Sequence, residues 1–392
     1  VSDILVSDAS VSVRVLQSID EVTAVQWNAL STDDDSPFVE HAFLQALEVS
    51  GCACAAHGWT PAHITVWRGE TLVTAAPAYI KDHSEGEFVF DWAWADAAHR
   101  AGIAYYPKLL LAVPFTPATG SRLLRLPSVT VQQAAHWIAS AAKALAQQLK
   151  LSSVHALFVP EFECAALETE GFARREGVQF HWHNEGYKTF DDFLARFQSK
   201  RRHSLKREKA QPLVDGTKIE TLTGAQLSLS MAPLMHKLYL TTVDKFVWGR
   251  RYLNERFYEE LIKHWSHRME WVQATANDET VIAGAFNARR GTALYGRYWG
   301  ALKEQPFLHF NVCYYHGIER SIAQGLQRFE PGAGGEHKLA RGFDPTLTRS
   351  AHFIMDSRLD RAVRGFLQGE VRAIRSAVAS ERAQSPLRRK GA

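Results

Sequence analysis

The residues best suited to chemistry gather between positions 294 and 343. Glu336-His337-Lys338 follows a glycine turn at Gly332, Gly334 and Gly335, and Arg341 stands three residues on. A carboxylate and an imidazole beside such a turn supply a general base whose pKa the surroundings can bring toward neutrality. Lys338 and Arg341 add positive charge suited to phosphate or carboxylate groups of a ligand. Upstream, His309 and Asn311 open a predicted helix, with Tyr314 and Tyr315 about one turn further in. Helix N-termini bind anions, and one tyrosine there can protonate a leaving group while the other packs in the core. Together these residues read as equipment for taking a proton from a nucleophile and returning one to a departing group.

The glycines are turn-makers. The spacing of a phosphate-binding G-x-x-x-x-G-K-[ST] loop is absent, and no helix of the right pattern follows to make a dinucleotide fingerprint. A second loop, containing Thr116, Thr119, Gly120 and Arg122, reads equally as a Pro-rich turn or as a pyrophosphate cradle built from backbone N–H groups and Arg122. His181 and His183 share one face of a strand, but no third ligand accompanies them and no metal is expected. Cys52, Cys54, Cys164 and Cys313 are too scattered for a disulfide framework and read as free thiols in a reducing compartment.

The elements that must position these groups follow from periodicity. The 392 residues are 46% hydrophobic and 22% charged, which allows two ordinary domains with full cores. The net charge of +3 does not mark a nucleic-acid binder, although Lys200, Arg201, Arg202, Lys206, Arg207 and Lys209 form a basic helical run. No apolar run approaches the roughly 18 residues of a membrane span, and no signal peptide is expected. Strands are predicted near 11–16, 63–67, 71–80 and 108–115. Phe88, Phe90, Trp92 and Trp94 alternate, which predicts four aromatics on one strand face, a core wall or an apolar groove. An Ala-rich helix over 129–150, a strand over 153–159, a helix over 161–170 and a strand over 172–182 complete the first half. A charged helix over 190–211 bridges to a second half of similar order. There a strand over 218–222 and helices within 225–265 precede strands over 270–276, 281–288 and 292–299. A helix over 308–326, strand-like runs at 328–330 and 350–355 and a basic amphipathic helix over 357–384 follow, with a disordered tail from Pro386.

Five stretches resemble one family. Tyr105-Tyr-Pro-Lys-Leu, Val113-Pro-Phe-Thr-Pro-Ala-Thr-Gly-Ser-Arg122, Leu294-Tyr-Gly-Arg-Tyr-Trp-Gly300, His309-Phe-x-x-Cys-Tyr-Tyr315 and Phe329-Glu-Pro-Gly-Ala-x-Gly-Glu-His-Lys338 look like the FemAB-like N-acyltransferases of the GNAT superfamily, the "peptidoglycan biosynthesis/recognition" group. Phe197-Gln-Ser-Lys-Arg-Arg-His-Ser-Leu-Lys206 is similar to the Fem-type entry into a second lobe. The resemblance covers roughly 36–352. It implies an α/β fold of tandem GNAT-like lobes, each a mixed central sheet flanked by helices. The expected division is a first lobe over 1–185, a second over 186–356 and a terminal helix and tail over 357–392.

The resemblance also implies transfer of an acyl group from a thioester, acyl-CoA as co-substrate, to an amine, with no permanently bound cofactor. Some relatives resemble bacterial ceramide synthases, which acylate a sphingoid base; true Fem enzymes use aminoacyl-tRNA. On this reading Glu336 or His337 is the base, and Tyr314, Tyr315 and His309 assist. Lys338, Arg341, Arg297, Tyr298 and Trp299, with Thr116, Thr119, Gly120 and Arg122, bind the substrates. The pantetheine is expected between splayed strands near 281–299 or 108–116. Asn311 stands where relatives have Glu, and Gly334 where they have Gln. The expected setting is cytoplasmic, peripheral to an anionic membrane. The rivals are a tRNA-dependent transferase and a non-catalytic GNAT-fold recognition module.

Overall fold

The computed structural model describes residues 8, 10–245 and 249–388. In chain order these form β1 (Ser12–Leu16), α1 (Ala24–Asn28), α2 (His41–Val49), β2 (Trp59–Pro61), β3 (His63–Arg68), β4 (Thr71–Ala76), β5 (Ala78–Lys81), α3 (Trp92–Arg100), β6 (Lys108–Leu111), β7 (Leu124–Arg125), α4 (Val131–Gln148), β8 (Ser153–Leu157), α5 (Glu161–Thr169) and β9 (Ala173–His183). Then come α6 (Phe190–Ala195), α7 (Ser199–Val214), β10 (Lys218–Thr223), α8 (Ala232–Val243), α9 (Glu255–His264), β11 (Met269–Thr275), β12 (Val281–Arg290), β13 (Ala293–Ala301), α10 (Leu308–Phe310), α11 (His316–Ala323), β14 (Arg328–Glu330), β15 (Asp344–Ile354) and α12 (Ser357–Ala383).

The chain divides into two compact units. The first comprises residues up to Gly177 together with Leu347–Arg375, and the second comprises Val178–Thr346 and the residues from Ser376 on. The chain thus passes from one unit to the other within β9 and returns within β15. The segment expected as a terminal appendage is divided between the two units.

In the first unit β1, β3, β4 and β7 form an antiparallel sheet. A second sheet runs β2-β5-β6-β8-β15, with β6 and β8 parallel. Helix α4 starts at a capping box, Thr130 with Gln133, which satisfies two otherwise orphaned N–H groups. Its buried stripe, Ala134, Ile138, Ala142 and Leu145, packs with Ile64, Val66, Leu109 and Leu111. Each such aliphatic side chain contributes roughly 1.5–3 kcal/mol on burial. The alanines keep the helix close to the sheets.

Three expectations here are corrected. Phe88, Phe90, Trp92 and Trp94 do not share a strand. Phe88 takes a positive φ of 59°, which breaks an extended run. The alanines at 93, 95, 97 and 98 then favour the helix α3. Trp94 is buried against α12, whereas Phe90 and Trp92 are exposed. Strand β6 stops at Leu111, short of Phe115, because Pro114 cannot continue a ladder. The helix expected over 190–211 is two, α6 and α7. They break at Phe197, which is fully buried, and at Gln198, whose backbone is extended.

The second unit has the sheet β10-β11-β12-β13-β14-β9. Its first four strands form an antiparallel meander, and β13 and β14 run parallel, joined by α10, a π-helical stretch Asn311–Tyr315, and α11. Leu294, Ile318, Phe329 and Phe343 form the core beneath these helices. Gly317 lets α11 approach, since a Cβ there would fall 2.6 Å from the Phe329 ring. The expectation for this half stands closest to the structure, because the meander strands β11, β12 and β13 are long and bounded by clear turns. The tail beyond 388 lies outside the described residues.

Candidate active site

Strands β13 and β14 pair only over residues 293–295 and 328–330. Strand β13 continues to Ala301, but after Glu330 the chain turns away at Pro331 and Gly332, so the two parallel strands part. The fork holds a cavity of about 360 Å³. Gly296 forms one lip. A Cβ there would lie 3.1 Å from Pro331 Cα, so only glycine lets the two lips meet at their root without displacement. The opposite lip is the turn at 332–335, where Gly332, Gly334 and Gly335 all take positive φ.

The fork gathers seven of the residues that the sequence singled out: Arg297, Tyr298, Trp299, His309, Tyr314, His337 and Lys338. A register shift between Phe286 and Asn287 interrupts the β12–β13 ladder here. Tyr298 stacks on Phe286, while Trp299 meets His309 with ring centroids 4.8 Å apart. The Tyr314 hydroxyl lies 3.0 Å from His337 Nε2. Tyr314 is buried and His337 is exposed, so the pair presents an imidazole backed by a phenol.

Burial lowers the His337 pKa below the usual histidine value, and the cations Arg341 and Lys338 lower it further. The ring is therefore neutral at pH 7. Burial raises Tyr314. His309 falls to about 4, mainly through burial and then through His337, and is a neutral packing partner rather than a proton carrier near pH 7. Burial also lowers Lys338 to about 8. Its ammonium donates to the carbonyls of Gly332, at 2.7 Å, and Ala333, at 3.4 Å, and so closes the glycine lip on itself.

Other expected residues are placed elsewhere. Tyr315 and Arg341 do not line the cavity; both are turned into a buried cluster with Glu208 of α7. Successive residues of the π-helical stretch thus serve different sides, Tyr314 the cavity and Tyr315 the cluster. Asn311 is spent on structure, donating to the carbonyls of Glu208, at 2.9 Å, and Phe307, at 3.1 Å. The side chain of Glu336 lies outside the described residues. Thr116, Thr119, Gly120 and Arg122 belong to the first unit and do not line this cavity. Arg122 is 1% exposed and gives its guanidinium to the carbonyls of Ala118, Gly120 and Ser121. Burial and these bonds turn the guanidinium into its own loop. His181 bonds Gln179 at 3.2 Å, and among the described residues no group of three or more His, Cys, Asp and Glu could hold a metal.

The sequence reading missed Asn287 and Cys313, which also line the cavity, and Glu208. Asn287 sits inside an ordinary strand pattern with nothing local to distinguish it. Glu208 had one signal, a lone acid in a basic helix.

A mixed sheet whose parallel strands part around a cavity is a GNAT-like architecture. The chain belongs to the FemAB-like family, described as peptidoglycan biosynthesis/recognition, which it matches over residues 18–389. No curated protein matches its sequence significantly. In structure it is similar to FemX, with 12% identity and a TM-score of 0.54 over 88% of this chain and 98% of FemX. It is also similar to the C-terminal domain (DUF2156) of a putative lysylphosphatidylglycerol synthetase from Agrobacterium fabrum, with 9% identity and a TM-score of 0.51 over 90% and 97%. At such identities the likeness speaks for the fold.

Proposed function

We propose that the protein is an N-acyltransferase that moves an acyl group from a thioester such as acyl-CoA to an amine, using the fork of the second unit. The observation that carries this reading is the Tyr314–His337 pair inside the cavity where β13 and β14 part. Beyond Tyr295, β13 has no β14 neighbour on that side, so an amide-bearing donor arm can add to it as a strand would.

The amine nitrogen attacks the thioester carbonyl, a C–N bond forms and the C–S bond breaks. Neutral His337 takes the proton that the amine must lose. Tyr314, with imidazolium now beside it, gives its proton to the departing thiolate and regains one from His337. The buried Lys338 ammonium adds positive charge as the thiolate forms. The amine has lost one proton, the thiol has gained one, and the enzyme is restored. Asn311, tied to backbone carbonyls, has no part in this sequence.

The family description and the exposed Lys200, His203 and Arg207 of α7 favour a second reading, an aminoacyl-tRNA donor. One experiment separates the two. Purified protein is offered acyl-CoA and aminoacyl-tRNA panels with candidate amines, and products are identified by mass spectrometry. Amide formed from acyl-CoA, insensitive to ribonuclease, supports the first reading. Product only from tRNA, with donor binding that weakens steeply with salt, supports the second. Neither product leaves a recognition module.

The proposal has a separate part concerning place. No helix among the described residues is long and apolar enough to cross a membrane. In the first unit, however, Phe90, Trp92 and Phe366 are 59%, 55% and 49% exposed. Arg175 bonds both the Phe90 carbonyl and the carboxylate of Glu370, four residues from Phe366 on α12. Exposed aromatics, with the exposed Arg361 and Arg372 on the same unit, suit the interface of an anionic bilayer. Flotation with phosphatidylglycerol vesicles is expected to carry the protein, and Phe90→Ser with Trp92→Ser to leave it in the pellet. Equal recovery of both proteins would remove this part of the proposal. Phe88, Phe90, Trp92 and Trp94 form no apolar strand wall that could receive a lipid-like amine, so no lipid acceptor is proposed.

A further inference from the structure

The geometry points to Glu208 as the residue that sets the position of the His337–Tyr314 pair, an inference that rests on the function proposed above. Glu208 lies on α7 and is 5% exposed. One carboxylate oxygen accepts from the Tyr315 hydroxyl at 2.5 Å and from Arg341 Nη2 at 2.8 Å. The other lies 3.3 Å from Ser204 Oγ and 3.4 Å from Arg201 Nη1. A buried carboxylate with this many donors is held in one place.

Three of these four donors, Arg341, Arg201 and Tyr315, lead back to the fork. Arg341 also donates Nη1 to the carbonyl of His337 at 3.0 Å and Nε to the Tyr315 hydroxyl at 3.0 Å, and its guanidinium lies 3.4 Å above the Phe310 ring. Arg201 donates to the carbonyl of Ala340 at 2.7 Å. The turn Glu336–Arg341, which carries His337, is therefore gripped at two carbonyls by arginines that share Glu208. Tyr315 is the immediate neighbour of Tyr314. The same carboxylate thus anchors the segment that carries the phenol and the turn that carries the imidazole, and fixes the distance between them without touching either ring.

The cluster needs this explanation. Tyr315, Arg341 and Glu208 are all buried, and burying an ion pair is rarely stabilising on balance when an apolar set of the same volume would fit. A positioning role accounts for keeping it. Arg341, expected from sequence to bind substrate, is a positioning residue as well.

Glu208→Gln keeps the shape and removes the charge. Hydrogen exchange followed by mass spectrometry is expected to show amides of residues 337–343 exchanging at least ~10-fold faster, with the rest of the second unit unchanged. Turnover is expected to fall by about 10–100-fold, the loss that a misplacement near 1 Å produces, while the KM for the donor stays within about twofold. Glu208→Asp, which keeps the charge, is expected to recover part of the turnover. Unchanged exchange in the turn, or a uniform rise across the unit, overturns the inference. So does wild-type turnover in Glu208→Gln where His337→Ala is inactive. If His337→Ala keeps full turnover, the proposed function fails instead, and the exchange data alone decide whether Glu208 holds the turn.

Discussion

Replacing His337 with alanine is expected to lower kcat by about 10²–10⁴-fold, the range that a positioned general base contributes. Tyr314→Phe, which removes only the hydroxyl 3.0 Å away, is expected to cost less, because water can protonate a thiolate. The double variant should be barely worse than His337→Ala, since the two groups handle one proton in relay. The pH profile gives a second check. His337 must be neutral to act, and its pKa is depressed by burial and nearby cations, so kcat/KM should fall on the acid side only below about pH 6.5, the unperturbed histidine value. Lys338 loses its charge near 8, so activity should decline above that pH, and Lys338→Met should abolish the alkaline limb while lowering the plateau. His337→Ala with wild-type kcat and an unchanged acid limb would remove the imidazole from the mechanism.

The largest effect on stability is expected at Gly300. A Cβ at this position would lie 1.8 Å from the carbonyl oxygen of Leu238 and 2.4 Å from its carbon. These are backbone atoms of α8, which no side-chain rotation can move. The helix is also stitched to β13 on either side of the glycine. Thr242 donates to the Trp299 carbonyl at 2.6 Å, and Ala301 N–H donates to Thr241 Oγ1 at 3.1 Å. Gly300→Ala must push α8 from the sheet and break both bonds. A loss on the order of 4 kcal/mol or more is expected, in the exceptional tail for single substitutions. Urea denaturation is the measurement. Gly365→Ala is the control: it sits inside α12 with nothing within 4 Å of the added carbon, and it should gain up to about 1 kcal/mol. A Gly300→Ala midpoint close to wild type would mean that β13 and α8 do not pack this closely.

The residues of the fork were largely legible from sequence, because they stand at the joints between elements whose order could be read. His309 and Tyr314 mark the helix after β13, and His337 and Lys338 mark the turn after β14. What could not be read was orientation within a few residues. Tyr314 and Tyr315 are chemically identical, adjacent helical residues point roughly 100° apart, and only the placement of α7 shows which meets the cavity and which meets Glu208. Arg122 looked available because its partners, three carbonyls of its own loop, leave no mark in residue types. The aromatic alternation at 88–94 misled because the alanines that continue into α3 were outweighed by a pattern of only four residues. The division of the chain was hidden for a different reason. β15 pairs with β8 across nearly two hundred residues, Ser350 opposite Leu157, and no local pattern records such a partner.

That pairing bears on how the chain is made. The first unit contains Leu347–Arg375, so it cannot be completed as it emerges from the ribosome. While the second unit is being synthesised, β8 waits with one edge unpaired, and Trp94, Ala98 and Tyr105 wait without the Leu359, Val363 and Leu367 that cover them. The second unit has no such wait for its meander and fork, all of which lie within 178–346. The meander and fork can therefore form before the first unit is complete, and only the residues from Ser376 on join the second unit later. An apolar surface and a strand edge left open for that interval are what chaperones bind and what drives aggregation. Synthesis rate and chaperone supply should consequently govern the yield of this protein more than the stability of its finished fold.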